Sequence, residues 1–191
     1  MKVLMLGNSF THVNNVDMLM ACLTGWQVER VTRGGACLYQ ALDKTDELHG
    51  RFIAALEKQQ WDYVVLQEQS NTPALRPKLF HSSVEKLCEL IRQNGAKPVL
   101  YATWAYRDGS EKLASVNMSY DEMDQALYNA YHKAADDNGA ITADVGKAFT
   151  AMRHLIDPYD KEDDYHPSEA GALLAAHTIA AAIEADKKSS I

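Results

Sequence analysis

The sequence predicts an α/β protein, a three-layer sandwich with a five-stranded parallel sheet between two layers of helices. Three observations lead there. Strand-like and helix-like segments alternate along the chain, which calls for right-handed crossovers between parallel strands. The runs at 2–6 and 63–66 are apolar but for Lys2, as strands covered on both faces must be. No long linker, repeat or low-complexity stretch interrupts the alternation, so residues 1–191 read as one domain with a substantial core.

The first strand covers 2–6 and is ended by Gly7. A helix over 15–23 follows, with Asn14 or Asn15 as its N-cap. In the second strand, 26–32, Trp26, Val28 and Val31 supply the apolar side, and Gly34-Gly35 ends it. Residues 38–59 read as helix with a break near 44–46. Tyr63-Val64-Val65-Leu66 is the central strand, rich in β-branched residues. An amphipathic helix over 77–94 stops at Gly95, which suits the left-handed position after a helix C-terminus. The fourth strand covers 97–103, and a long polar segment, 106–120, leads to a helix over 121–138. A short strand at 140–143 and a helix near 146–154 come next. The last helix starts at Pro167 and runs to about 187; its centre is mostly alanine and leucine, which permits close packing on the sheet.

Charge and cysteine content narrow the partners. Lys and Arg number 19 against 26 Asp and Glu, a net charge of −7 that works against phosphate-backbone binding, so nucleic acid is not an expected partner. Cys22, Cys37 and Cys88 are odd in number and far apart, with no C-x-x-C pairing, and read as unpaired small hydrophobes in a reducing compartment. The apolar run at the start is too short for a leader, and nothing approaches the ~20 apolar residues of a membrane span. A cytoplasmic protein without membrane association is the expectation.

In open parallel sheets, ligands bind beyond the carboxyl ends of the strands, so the segments after the strands are where chemistry is sought. After the first strand comes Gly7-Asn8-Ser9-Phe10-Thr11. The glycine allows a sharp turn that leaves Ser9 at the mouth of the sheet, near a helix N-terminus whose free N–H groups can bind an oxyanion. Gly-Asn-Ser is equally good turn chemistry. After the second strand, Gly34-Gly35 permits close approach of backbone to a ligand and can offer another N–H. After the third comes Gln67-Glu68-Gln69-Ser70-Asn71-Thr72. The Gln67 carboxamide can donate to an oxyanion without titrating, or can satisfy loop backbone.

Before the last helix stands Asp163-Asp164-Tyr165-His166-Pro167. The Asp-x-x-His spacing lets a carboxylate fold back onto imidazole Nδ1–H, fixing the tautomer and leaving Nε2 free to take a proton. The same carboxylate offsets a helix N-terminus that disfavours imidazolium. Asp164, two before the histidine, is the alternative partner. Trp104 follows the fourth strand and is expected to line the substrate pocket, with core packing as the plainer role. His12 lies close to Ser9 but has no carboxylate to orient it, and Glu68 reads as a salt-bridged structural residue. Asp163, Asp164, His166 and His12 lack a metal-ligand spacing, so no metal is expected.

Together these four segments, in this order from residue 7 to residue 166, resemble the SGNH (GDSL-type) hydrolase superfamily. Asn8 replaces the usual Asp of Gly-Asp-Ser, and the usual Gly-x-Asn-Asp third block is missing. Asn71 falls in the asparagine slot by gapless registration, whereas Gln67-Glu68 resembles the Gln-Gly-Glu-Ser block of acetylesterase relatives. The 61–67 stretch also looks like uncharacterised bacterial members. The resemblance implies a flavodoxin-like sheet topology and a serine esterase without cofactor. In it Ser9, His166 and Asp163 form a triad, and Ser9, Gly35 and Gln67, with Asn71 as alternative, form the oxyanion hole. It further implies a short-chain ester substrate, acetyl foremost, on a sugar-like leaving group. Two rivals remain: a flavodoxin-like module that binds an anion, which leaves Asp163 and His166 without a role, and an inactive member of the fold.

Overall fold

Residues 1–189 are described by a computed structural model. Along β1 (Lys2–Gly7), Val3 and Met5 join one apolar cluster and Leu4 and Leu6 the other. The same alternation runs through β3 (Tyr63–Leu66), with Tyr63 and Val65 against Val64 and Leu66. It continues in β4 (Lys97–Tyr101), with Val99 and Tyr101 against Leu100. A period of two on strands that are apolar on both faces requires cover on both faces, and helices supply it.

β2 (Gln27–Thr32) and β5 (Ile141–Ala143) complete a five-stranded sheet of order β2-β1-β3-β4-β5, every neighbouring pair parallel. The expected α/β sandwich is observed, with flavodoxin-like strand order. On one face lie α3 (Glu47–Glu57), α5 (Pro77–Gln93) and α7 (Tyr120–Asn138), whose Phe52, Leu87 and Leu127 enter the Leu4/Leu6 cluster. On the other lie α2 (Val16–Thr24), α8 (Val145–Met152) and α9 (Glu169–Ser189), whose Met20, Phe149 and Ala176 enter the Val3/Met5 cluster. The chain leaves β1 for β2 on one side and reaches β3 on the other, so the strand order reverses between β1 and β3. A crevice opens there, beyond the strand ends.

Three four-residue helices were not foreseen, because one turn carries no readable periodicity: α1 (Ser9–His12), α4 (Thr72–Leu75) and α6 (Glu111–Ala114). β4 ends at Tyr101 rather than 103, where its register with β3 and β5 runs out. The last helix starts at Glu169 rather than at Pro167, because Pro167 forms an isolated antiparallel bridge with Tyr159. Ser168 takes the capping role, its Oγ accepting from Gly171 N–H at 3.1 Å. Asn14 and Asn15 hold left-handed backbone angles and do not cap α2 with their side chains. Among the described residues no helix is long and apolar enough to cross a membrane.

Candidate active site

The turn after β1 is held by a closed set of buried amides. Asn8 caps α1, its Oδ1 accepting from Phe10 N–H at 3.1 Å. Its Nδ2 donates to Ala36 O at 2.9 Å, tying the turn to the loop after β2. Its backbone N–H donates to Gln67 Oε1 at 2.9 Å, and Thr11 Oγ1 donates to the same oxygen at 3.0 Å. Since a backbone N–H can only donate, the Gln67 amide has one possible orientation, with Nε2 directed to Asn8 Oδ1 at 2.9 Å and to Glu68 O. Gly7 is required at this crossing: a Cβ there would lie 2.5 Å from Gln67 Oε1 and 2.7 Å from Thr11 Oγ1. Ser9 is thereby fixed as the first residue of α1, and its N–H meets no protein acceptor among the described residues.

The turn before α9 is held by charge. His166 Nδ1 lies 2.5 Å from Asp163 Oδ2, and Asp163 Oδ1 accepts the backbone N–H groups of Tyr165 and His166 at 3.2 and 3.0 Å. Burial works against ionisation of Asp163. The hydrogen bonds from the His166 ring and from both backbone N–H groups outweigh it and hold the carboxyl below its ordinary value. His166 Nε2 is buried and has no hydrogen-bond partner among the described residues. Asp164 is turned the other way, at φ 61°, its Oδ1 2.6 Å from Arg107 Nε. Of the two candidate carboxylates, Asp163 alone reaches the imidazole.

Ring contacts and a hydrogen bond couple the turns. The Phe10 ring meets the His166 ring edge-on at 5.7 Å, and Asn14 Nδ2 donates to Pro167 O at 2.8 Å. Ser9 Oγ forms no hydrogen bond to His166, a contact that in hydrolases often tightens only with substrate bound. Ser9 lines a cavity of about 190 Å³ with Asn8, Phe10, Gly35, Gln69, Ser70, Lys112 and Tyr165. Gly35, at φ +66°, brings to it an N–H that no protein group accepts among the described residues.

Other expected residues are placed differently. Gln67 is 1% exposed, and its amide hydrogens are engaged by Asn8 and Glu68, which makes it a strut under Ser9 rather than a free donor. Asn71 stands at the N-cap position of α4 without a side-chain capping bond and lies outside the cavity lining. Trp104 does not line the pocket: it is fully buried, stacked between Phe10 at 4.5 Å and Phe149 at 3.9 Å. Its large flat ring is worth more in that stack than at a cleft mouth, and its indole N–H supports Tyr165 O at 2.9 Å, one residue from His166. His12 bonds Thr32 Oγ1 at 3.2 Å; burial, then Arg30 and His166, lower its pKa.

Glu68 forms no salt bridge among the described residues. Fully buried, it accepts Leu38 N–H at 3.1 Å and Gln69 N–H at 2.6 Å, and clamps the loops after β2 and β3 together. Burial, only partly offset by those N–H groups, pushes its carboxyl up to about 7. Sequence reasoning missed Lys112, Gln69 and Ser70. The first lies in a polar segment with no pattern, and the others are ordinary loop residues until the fold brings them beside Ser9. Tyr165 was legible only as a spacer in Asp-x-x-His.

A serine at the carboxyl end of β1 and a carboxylate-held histidine before the last helix, on a 2-1-3-4-5 parallel sheet, define the class: a serine hydrolase on an α/β scaffold. No family model matches the chain, and no curated protein does. Solved structures do. A protein from Slackia heliotrinireducens assigned to the SGNH hydrolases is 40% identical over 96% of this chain and 98% of its own, with a TM-score of 0.90. The chain belongs to the SGNH hydrolases. A DUF4886 family protein from Bacteroides uniformis (21% identity, 93% of this chain and 80% of that one, TM-score 0.74) shares the fold. So does an acetylxylan esterase from Geobacillus stearothermophilus (17% identity, 95% and 93%, TM-score 0.65).

Proposed function

We propose that the protein hydrolyses short-chain carboxylic esters, acetyl esters foremost, through a Ser9–His166–Asp163 triad. The observation that carries this reading is His166: its Nδ1 is held by Asp163, while Nε2 is buried, unpartnered and beside the residue that follows Ser9. Ser9 Oγ attacks the acyl carbonyl as Nε2 takes its proton, and Asp163 stabilises the imidazolium that forms. The N–H groups of Ser9 and Gly35 donate to the carbonyl oxygen as charge develops on it, each worth about 3 kcal/mol in a dry site. The imidazolium returns its proton to the departing alkoxide, leaving an acyl-serine. Water, deprotonated by His166, then releases the acid and restores the serine.

Gln67 acts in this scheme by holding Asn8 and the turn, so it positions the nucleophile instead of touching the oxyanion. A cavity of about 190 Å³ is smaller than the ~300–1,000 Å³ of sites that enclose drug-sized ligands, which favours a small acyl group. A sugar leaving group is the second part of the proposal and rests on the fold likeness to the acetylxylan esterase. Cytoplasmic residence fits the three free cysteines, one of them exposed.

Labelling with a fluorophosphonate, read by intact mass, tests the reading. One adduct is expected on the wild type, none on Ser9→Ala, and labelling slowed at least ~100-fold on His166→Ala. An unlabelled but folded wild type would leave an anion-binding module or an inactive hydrolase as the better account.

A further inference from the structure

Lys112 lines the Ser9 cavity. The polar segment after β4 folds into α6, fixed by Ser110 Oγ, which accepts Leu113 N–H at 3.1 Å, and by the buried side chain of Leu113. That anchoring sets the exposed Lys112 over two rings, its Nζ 4.6 Å from the centroid of Tyr165 and 5.8 Å from that of Tyr106. The rings are themselves fixed: Tyr106 is fully buried with its hydroxyl 2.7 Å from Ser70 Oγ, and Trp104 supports the Tyr165 carbonyl. No carboxylate lies within ion-pair distance of Lys112 among the described residues.

The remaining lining of the cavity is neutral. Asn8, Ser9, Phe10, Gly35, Gln69, Ser70 and Tyr165 bring no carboxylate to it. In a chain of net charge −7, the one charged side chain in this lining is positive. The aromatic faces hold the ammonium by its electrostatic attraction to the rings but accept none of its hydrogen bonds in the manner of an oxygen anion.

We infer that Lys112 is a specificity-determining residue that recruits esters carrying a carboxylate to the Ser9 cavity. The inference rests on the esterase reading for turnover but not for binding. The carboxylate belongs to the acyl or to the leaving side of the ester, and two isosteric pairs distinguish them. Monophenyl glutarate with its carboxamide probes the acyl side; 4-acetoxybenzoate with 4-acetoxybenzamide probes the leaving side. In at least one pair, wild type is expected to prefer the anion in kcat/KM. Lys112→Gln is expected to cut that preference roughly fivefold, mainly through KM, and Lys112→Arg to keep it.

A preference unchanged by Lys112→Gln in both pairs overturns the inference and leaves the lysine as packing on tyrosine. Binding of 4-acetoxybenzoate and monophenyl glutarate to Ser9→Ala and to Ser9→Ala/Lys112→Gln, followed by NMR titration, separates the two readings. Weaker binding in the double variant with no fluorophosphonate adduct on wild type removes the esterase and keeps the anion site. Equal binding of both probes, with Ser9 labelled normally, removes the anion site and keeps the esterase.

Discussion

The two turns that meet at the candidate site are built from opposite materials. The turn after β1 is buried and neutral, its Asn8, Thr11 and Gln67 satisfying one another in a closed amide network. The turn before α9 is half-exposed and ionic: Asp163 holds His166, and Arg107 holds both Asp157 and Asp164. The difference follows from what each end must do. A nucleophile on a short helix needs a fixed backbone, and neutral hydrogen bonds in a dry environment fix it without adding charge next to an oxyanion. A base that becomes a cation during turnover needs a carboxylate close by, and a carboxylate is cheapest to keep ionised near solvent.

The sharpest break of this contrast is on the ionic side. Asp163→Asn retains an oxygen for the N–H groups of Tyr165 and His166 but presents an amide donor to Nδ1, which drives the ring proton to Nε2 and removes the base. Ester turnover is expected to fall about 10³–10⁴-fold with the melting temperature little changed. Steady-state kinetics beside thermal denaturation check this; an equal loss of stability and activity would mean that Asp163 merely holds the turn.

On the neutral side the expected effect falls on stability. Gln67→Leu leaves Asn8 N–H and the Thr11 hydroxyl unpaired in a buried place and removes one of the two bonds to Asn8 Oδ1, at a cost of about 2–4 kcal/mol. For a chain of this size that lowers the melting temperature by roughly 5–12 °C. A stable Gln67→Leu protein that labels slowly would instead return Gln67 to the oxyanion hole.

The smallest effect sharpens the comparison through pH. Glu68 belongs to the buried side yet is ionisable, with its carboxyl raised from 4.5 to about 7. Below pH 4.5 it is protonated folded or unfolded. Between 4.5 and 7 the folded protein keeps a proton that the unfolded chain has released, so its contribution to stability declines as pH rises through that window. Glu68→Gln keeps the acceptor for Leu38 and Gln69 and cannot titrate. The variant is expected to gain on the wild type by on the order of 2–3 kcal/mol between pH 4.5 and 8. Denaturation midpoints across that range report it, and a constant difference would show that Glu68 does not change protonation there.

By itself the sequence determined the sheet and the order of its layers, because doubly apolar runs such as 63–66 cannot be satisfied except between two layers of helices. It also brought Asp163 forward as the partner of His166, through a three-residue spacing that can close within one turn, with Asp164 left as the alternative. The tertiary structure decided everything that needed two distant segments. Gln67 is a strut because Asn8, 59 positions earlier, occupies its amide. Trp104 is core because Phe10 and Phe149 close on its two faces. Asp164 faces Arg107 because its backbone is left-handed. Lys112 overlooks Ser9 because a segment without periodicity is pinned by one buried leucine. Local spacing fixes what a residue can reach within a turn; what occupies its polar atoms is settled only when the chain closes on itself.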